Sequence, residues 1–290
     1  MVTIKTILVA TSGGSASAGA VELACSVARR FEAHLEGFHA KTDIFELLRY
    51  DTIGAGLTDA FVEKFQADTA DTAAKVKAEF GAALGRHGMS LAPRSANALP
   101  GSIGATGDWR EQTGYAPGLV AQRARFFDLA ILGRSERVIE QAHSDVIEQT
   151  LALSGRPVLL APALPPKTIA ERVALGWNGS AAAVRAMTGA LSFLGTARET
   201  IVLTIGEEHQ ESARTVVDHL AWHDIKAKHV HIATRAGFGI GYQLLTAATE
   251  VGADLLAMGG YGHTPWREFL FGGATREVVA SSLLPVLLAH

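Results

Sequence analysis

A glycine-rich segment near the C-terminal end is the part of the sequence best suited to hold an anion. Its glycines are Gly259, Gly260, Gly262, Gly272 and Gly273. Glycine lets the backbone approach an anion closely and adopts positive φ without strain. A helix that starts at the last pair would add unpaired N–H groups and the positive end of its dipole. The spacing therefore predicts a phosphate-binding loop between a strand and a helix.

Side chains within and just after this segment could add contacts to phosphate. His263, Arg267 and Arg276 can carry positive charge, and Thr275 offers a hydroxyl group. The glycines also have a second interpretation, because they would allow a helix to pack closely against a strand. The sequence leaves both interpretations open.

The elements that would position this loop belong to a repeat. Pro157–Ala161 has the same residues as Pro285–Ala289, and Ile7–Gly13 is similar to Val173–Gly179. The two pairs have different offsets, so the first copy carries about 40 extra residues before its fourth strand. A repeat of this length indicates a duplicated domain rather than a solenoid of short units.

A proline-rich connector separates the two copies. Three prolines fall within Ala161–Lys167, which is typical of a stiff, non-helical linker. The sequence therefore predicts one domain over residues 1–163 and a second domain over residues 168–290.

Each half alternates apolar strands with helices. In the second half we expect strands at Arg172–Gly176, Thr200–Ile205, Lys226–Ala233, Asp254–Met258 and Val286–Ala289, and helices at Ala181–Leu194, Glu208–Trp222, Ile240–Val251 and Thr275–Ser282. Continuous apolar strands separated by helices favour a parallel sheet that is covered on both faces. The predicted fold class is α/β, with two tandem doubly wound parallel-sheet domains. We expect two extra irregular stretches in the first half, around Lys41–Asp59 and Met89–Asp108.

The spacing Gly-x2-Gly-x9-Gly, from Gly259 through Gly262 to Gly272, resembles the nucleotide loop of the universal stress protein family. The duplicated halves resemble the tandem form of that family, and the resemblance covers almost the whole chain. It implies a fold like that of the adenine nucleotide alpha hydrolases in a cytoplasmic stress-response protein. Some members bind ATP, here expected with Mg²⁺, and others do not. The resemblance also implies that the final strands of the two halves pair, and a homodimer of the whole chain is a further expectation.

Carried over position by position, the resemblance places the ATP contacts in the second half. They are Gly176, Asn178, Ile205, Met258, Gly259, Gly262, Gly272, Gly273 and Ala274. Asn178 stands where ATP-binding members usually have Asp, although its amide can still hydrogen-bond a ribose or a base. Gly273 stands where they have Ser or Thr, and Thr275 could partly replace the lost hydroxyl contact.

The first half lacks the same loop. Glu136 occupies the place of the second glycine after Gly133, and Val146 and Ile147 occupy the region of the helix start. Ser12 stands at the family's Asp position. Because a carboxylate in a phosphate cradle repels phosphate, we expect this half not to bind ATP in the family's usual manner. It would serve as a structural partner, and whether it binds any other ligand is left open.

Two further groups near the N-terminus have alternative interpretations. Thr11–Ser17 resembles the Ser-Gly-Gly loop of ATP pyrophosphatases, but the Asp expected near Ala16 is absent, so a turn and helix cap is favoured. Cys25 lies in an Ala-rich helix, where a buried inert thiol is favoured over a nucleophile.

Four histidines of the second half form two pairs. His219 and His223 share a helix face, and His229 and His231 share a strand face. Imidazole pairs can ligate zinc, but an exposed polar surface is the favoured interpretation, so we predict no metal site.

The composition excludes several classes of protein. Lys and Arg total 26 against 29 Asp and Glu, so the chain lacks the basic excess of a nucleic-acid-binding protein. Its apolar runs fall short of the roughly 20 residues of a membrane helix, and the N-terminus lacks the features of a signal peptide. A single cysteine cannot form an intramolecular disulfide, which fits a cytoplasmic location.

The common catalytic motifs are also missing from the sequence. It has no Gly-x-Ser-x-Gly elbow, no His-Glu-x-x-His helix, no P-loop and no convincing acid–base pair. The first hypothesis is therefore a tandem protein that senses or stores ATP in its C-terminal domain without clear turnover. The second is an interaction or scaffold protein of the same fold that binds no nucleotide. The third is an enzyme of the ATP pyrophosphatase type.

Overall fold

The computed structural model describes residues 3–44, 58–92, 104–134, 141–164, 166–260 and 273–290. Within these ranges the first half has strands β1 (Thr6–Ala10), β2 (His34–Lys41), β3 (Ser90–Leu91), β4 (Thr106–Thr113), β5 (Leu129–Gly133) and β6 (Val158–Ala161). Its helices are α1 (Gly14–Phe31), α2 (Asp59–Arg86), α3 (Ala116–Ala124) and α4 (Gln141–Leu153).

The second half follows the same alternation. Its strands are β7 (Arg172–Gly176), β8 (Glu199–Ile205), β9 (Ala227–Ile232), β10 (Leu255–Gly259) and β11 (Val286–Ala289). Its helices are α5 (Ala181–Leu194), α6 (Gln210–Ala221), α7 (Ile240–Glu250) and α8 (Gly273–Ser281). The bounds predicted for this half agree with these elements to within about two residues, which is the usual uncertainty of helix ends.

All these strands belong to one sheet, in the order β3-β4-β2-β1-β5-β6-β11-β10-β7-β8-β9. Neighbouring strands are parallel except β6 and β11, which are antiparallel with Val286 opposite Leu160 and Leu288 opposite Val158. Outward from this central pair, both halves repeat the same strand order. The predicted α/β class with doubly wound parallel sheets is confirmed.

Helices cover both faces of the sheet. Residues of α1, α2, α5 and α6 share one apolar core, and residues of α3, α4, α7 and α8 share the other. Because both faces are covered, the identical Val-Leu-Leu-Ala sequences of β6 and β11 are buried throughout. The edge strand β9 reads Ala-Lys-His-Val-His-Ile and is only partly buried. Polar side chains of this kind discourage pairing with another sheet edge.

Helix α2 is the main difference between the halves. It has 28 residues, whereas α6 at the corresponding place has 12. Its buried side chains lie in the second part of the helix, from Ala73 to Leu84. At about 1.5 Å per residue the helix is roughly 42 Å long, against about 27 Å for an eight-residue strand. The difference of about 15 Å corresponds to about 10 residues, so the N-terminal part of α2 overhangs the carboxyl edge of the first half-sheet.

Strands β3 and β4 correct part of the sequence prediction. The irregular stretch expected over Lys41–Asp59 begins in the last residue of β2 and ends in the first residue of α2. The stretch expected over Met89–Asp108 contains β3 and the start of β4. The extra residues of the first copy thus include regular structure, while residues 45–57 and 93–103 lie outside the described ranges. The division into two domains at residues 163 and 168 stays a prediction.

The C-terminal end of α1 joins the first half to the second. The Arg30 guanidinium donates hydrogen bonds to the carbonyl oxygens of Ile169 (2.8 Å), Ala170 (3.2 Å) and Thr196 (2.8 Å). The next residue, Phe31, packs edge-on against Phe193 of α5 with ring centroids 5.2 Å apart. One cationic side chain thus satisfies three carbonyl groups of the other half, and charge-assisted bonds of this kind are stronger than neutral ones.

We expect Arg30→Ala to lower the free energy of unfolding by about 2–3 kcal/mol, because it leaves partly buried carbonyl groups without a donor. The measurement is urea unfolding monitored by circular dichroism. The matched control is Arg29→Ala, since the neighbouring Arg29 is exposed and should change stability by less than about 0.5 kcal/mol. Equal effects of the two substitutions would contradict the role given to Arg30.

Candidate functional site

The predicted nucleotide contacts of the second half lie along one edge of the sheet. β7 pairs with β8 on one side and with β10 on the other, and Gly176 aligns with Leu203 and Met258. The carboxyl ends of these three strands therefore meet where the strand order changes direction, which is where open α/β sheets bind ligands. Ile205 and Gly259 end β8 and β10 at the same edge. Gly262, His263, Arg267 and Gly272 lie outside the described residues.

The turn after β7 is held by two polar side chains. Asn178 Oδ1 accepts hydrogen bonds from the backbone N–H of Ser180 (3.2 Å) and from its hydroxyl group (2.8 Å). Ser180 Oγ in turn accepts from the N–H of Ala183 (3.1 Å) and caps α5. Asn178 and Ser180 thus form a turn that leads into the helix cap. The exposed Asn178 still has its amide N–H groups available for a ligand, which an Asp side chain would not offer.

The glycines that end the strands have a packing role. A Cβ at Gly259 would lie 2.6 Å from the backbone N of Ala183, and a Cβ at Gly176 would lie 2.9 Å from Leu244 Cδ2. In the first half, a Cβ at Gly133 would collide with the carbonyl oxygen of Ala16. Because the close approach of helix and strand at Gly259 recurs at Gly133, where no nucleotide loop is predicted, these two glycines are required by packing whatever they bind. At Gly176 the neighbour is the end of a flexible Leu side chain, which can shift at lower cost.

The start of α8 differs from these crowded positions. A Cβ at Gly273 would meet no described atom of another element within 4 Å, and the residue is exposed. Ala274 is half-buried and Thr275 is buried. The Glu277 carboxylate points toward α7, where its Oε2 accepts from the N–H of Tyr242 at 3.1 Å. In the described part of this helix start, Gly273 thus leaves the main chain without a covering side chain, and the Glu277 carboxylate is directed toward α7.

The carboxyl edge of the first half borders a cavity of about 610 Å³. Its walls come from the ends of β1, β2 and β5, from the starts of α1 and α3 and from α4, and residues of α2 line its remaining side. The lining residues are Ala10, Thr11, Ser12, Ala16, Ser17, Phe38, His39, Ala40, Thr42, Phe65, Asp68, Thr69, Thr72, Ala116, Pro117, Val120, Leu132, Gly133, Val146 and Ile147. The sequence prediction missed this cavity, because it depends on the overhang of α2.

Two signals in the sequence could have indicated the cavity. The first is the insertion of about 40 residues, which had to form something absent from the second half. The second is the spacing of Phe65, Asp68, Thr69 and Thr72, which places them on one face of a helix. Neither signal indicates which residues lie opposite that face of α2. The cavity could therefore be recognised only once the fold was known.

His39 is the most enclosed ionisable residue of the cavity lining, with 5% of its surface exposed. Its Nδ1 lies 2.7 Å from the carbonyl oxygen of Thr11. Because a carbonyl oxygen only accepts, Nδ1 carries the proton and Nε2 of the neutral ring is an acceptor. The Trp109 ring stacks on the imidazole with centroids 6.3 Å apart.

The loop Thr11–Ser17 forms a turn before α1. Gly13 (φ 87°) precedes the helix, and the N–H of Ser12 donates to Ser17 Oγ at 3.2 Å. The Ser17 hydroxyl is therefore used inside this segment, as the acceptor for the Ser12 N–H. The predicted turn is present, but the N-cap of α1 is Gly13, which makes no side-chain cap hydrogen bond.

The thiol of Cys25 is fully buried, and burial raises its pKa to about 12. A thiol in this state is neutral at physiological pH, and the thiolate is the reactive form. The prediction of an inert thiol therefore agrees with its surroundings.

The four histidines do not form a metal centre. His229 Nε2 lies 2.9 Å from Thr204 Oγ1, and His231 Nε2 lies 3.0 Å from Glu207 Oε1. Burial, together with Arg214 and His231, lowers the pKa of His229. Within the described ranges, no group of three or more His, Cys, Asp or Glu side chains is arranged to hold a metal ion.

Comparisons with solved structures identify the fold. A universal stress protein from Archaeoglobus fulgidus is similar over 98% of this chain and 97% of its own, with a TM-score of 0.72 and 14% sequence identity. A functionally unknown protein from Pseudomonas aeruginosa is similar over 99% of this chain and 92% of its own, with a TM-score of 0.55 and 14% identity. No protein-family model and no curated protein matches the sequence. The chain thus has the fold of universal stress proteins over its full length.

Among the helices in the described ranges, none combines the length and the apolar character needed to cross a bilayer.

We expect Gly259→Ala to lower the free energy of unfolding by about 2 kcal/mol, because its methyl group would push α5 away from β10. The matched control is Gly81→Ala in α2, where a Cβ meets nothing within 4 Å. That substitution should raise stability by about 0.5–1 kcal/mol, since Ala favours a helix over Gly. Urea unfolding in the absence of nucleotide measures both. A Gly259→Ala protein as stable as the wild type would show that the close packing is dispensable.

Proposed function

We propose that the chain is a tandem universal stress protein that binds ATP in its C-terminal domain without catalytic turnover. Its domains would comprise residues 1–163 and 168–290, and its location would be the cytoplasm. The full-length likeness to the fold supports the tandem assignment. ATP binding is carried by one observation: Gly273 at the start of α8 is exposed, and a Cβ there would meet no described atom of another element within 4 Å.

Backbone N–H groups at the start of α8 would be the donors that bind the phosphates. The first N–H groups of a helix have no partner within the helix and concentrate its positive partial charge. Gly273 has no side chain that would cover those of α8, and the Glu277 carboxylate is directed toward the Tyr242 N–H of α7. A triphosphate would therefore meet backbone donors at α8, and the amide N–H groups of Asn178 could hydrogen-bond the ribose or base.

The described residues at this edge offer backbone donors for phosphate but no carboxylate directed toward a Mg²⁺ ion. Mg²⁺ keeps several waters and is often bound through the phosphates of its nucleotide. Since the Glu277 carboxylate is engaged with Tyr242, the ion would be held by ATP oxygens and water. When bound, Mg²⁺ would neutralise phosphate charge that the protein leaves uncompensated.

Gly273→Glu should weaken ATP binding at least tenfold, because it adds a carboxylate beside the phosphates in otherwise open space. The variant should keep its stability, since an acidic residue at a helix N-terminus is favourable. Titration calorimetry with Mg²⁺–ATP measures the affinity. The matched control is Gly81→Glu, the same change at an open glycine of the other half, which should bind ATP as the wild type does.

Two results would contradict the proposal. One is the absence of heat from the wild type at millimolar ATP, and the other is unchanged affinity in the Gly273→Glu variant. Steady release of pyrophosphate from bound ATP would favour the pyrophosphatase hypothesis instead, and we expect none.

A scaffold function is the second candidate, and an exposed aromatic patch favours it. Phe238 and Tyr242 stack with centroids 5.4 Å apart, each about half exposed, and Ile240 lies between them in sequence. Arg235 lies over the Phe238 ring at 5.5 Å. Aromatic and Arg side chains are enriched in protein interfaces. This patch would bind a protein partner or a second copy of the chain. Such a scaffold function does not require ATP binding.

A further inference from the structure

We propose that the first half binds a second ligand, a neutral and mostly apolar small molecule that donates one hydrogen bond to His39. The site is the cavity between the carboxyl edge of the first half-sheet and the overhanging part of α2. Its volume of about 610 Å³ lies within the range of about 300–1,000 Å³ that is typical of small-molecule sites. This proposal is independent of ATP binding in the other half.

The walls of the cavity select an apolar ligand. Side chains such as Phe38, Val120, Leu132 and Ile147 come from strands and helices of the core. These residues are rigidly placed, so the lower part of the cavity is preformed. An apolar ligand that enters it loses contact with water without requiring the core to rearrange, and burial of apolar surface is the main source of such affinity.

Charge argues against a nucleotide in this cavity. The described lining residues include no Lys and no Arg, and Asp68 contributes a carboxylate. The nearby cation on α3 is not available, because Arg123 Nε donates to the buried Glu36 Oε1 at 2.7 Å. A triphosphate would therefore meet a carboxylate and no described side-chain cation, whereas a neutral ligand avoids that repulsion.

His39 supplies the polar anchor. Its ring is held on one side by Thr11 and stacked on the other by Trp109. Nε2 has no hydrogen-bond partner among the described residues, and it is not one of the fully enclosed atoms. Because this atom is accessible to solvent, a ligand hydroxyl or N–H group would replace water as its hydrogen-bond donor.

The part of α2 that forms the roof has no counterpart in the corresponding helix of the second half. Phe65, Asp68, Thr69 and Thr72 lie on the face of α2 that covers the cavity. The corresponding helix α6 has 12 residues and no such overhang. Because the roof residues precede the buried part of α2, they cover the cavity without contributing to the core.

N-phenyl-1-naphthylamine is a suitable probe, because it is neutral, mostly aromatic, carries one N–H donor and fluoresces more strongly in apolar surroundings. We expect saturable binding of one molecule per chain. Thr69→Trp should weaken this binding at least tenfold, since the indole would occupy the cavity from its roof. The matched control is Thr215→Trp on the exposed face of α6, which should bind the probe as the wild type does.

The hydrogen bond to His39 is tested by a change in both protein and probe. His39→Asn keeps an N–H group for the Thr11 carbonyl but has no atom at the position of Nε2. It should bind N-phenyl-1-naphthylamine about fivefold more weakly, which corresponds to one lost hydrogen bond. It should bind 1-phenylnaphthalene, which lacks the N–H group, as tightly as the wild type does, measured by competition.

Three outcomes would overturn the proposal. The first is the absence of saturable probe binding to the wild type, and the second is undiminished binding to Thr69→Trp, which would place the probe elsewhere. The third is displacement of the probe by millimolar ATP in both the wild type and Gly273→Glu, which would place a nucleotide in this cavity. An equal loss of affinity for both probes in His39→Asn would exclude the hydrogen bond to Nε2.

Discussion

The antiparallel pairing of β6 with β11 is the constraint on which the rest of the structure depends. Each strand reads Val-Leu-Leu-Ala and is buried throughout. A half-sheet that ended at either strand would present an apolar edge with unpaired backbone groups, which favours aggregation. Pairing the two edges removes this hazard for both halves at once. Because the two strands belong to one chain, their pairing needs no second molecule and benefits from a high effective concentration.

The same pairing separates the two candidate sites. Since β6 and β11 run in opposite directions, the parallel strands of the two halves also point in opposite directions. Their carboxyl ends therefore lie at opposite edges of the continuous sheet. The cavity beneath α2 is at one edge, and the start of α8 is at the other. Each edge is free to change its loops and helices without altering the other, which is how a duplicated fold can carry two different sites.

The sequence predicted the class, the repeat and the strands and helices of the second half, because apolar periodicity and the duplicated segments report directly on burial. It could not separate two roles of glycine. Gly259 and Gly133 both end a strand against a helix start, and the same absence of a Cβ serves close packing and anion binding alike. The sequence also could not predict the cavity, since its walls come from six elements and its roof depends on how far α2 extends past the sheet.

The two edges also differ in what a substitution would affect. Gly259 lies where a strand touches a helix, so a change there alters stability and any binding together. The overhang of α2 carries Phe65, Asp68 and Thr69 but none of the buried residues of that helix. A change in the overhang can therefore alter the cavity while the fold is kept, because the stability of the first half rests on Ala73–Leu84 and on the sheet. A substitution in the overhang would thus change binding in the proposed cavity without changing stability. A substitution at Gly259 would change stability and binding together.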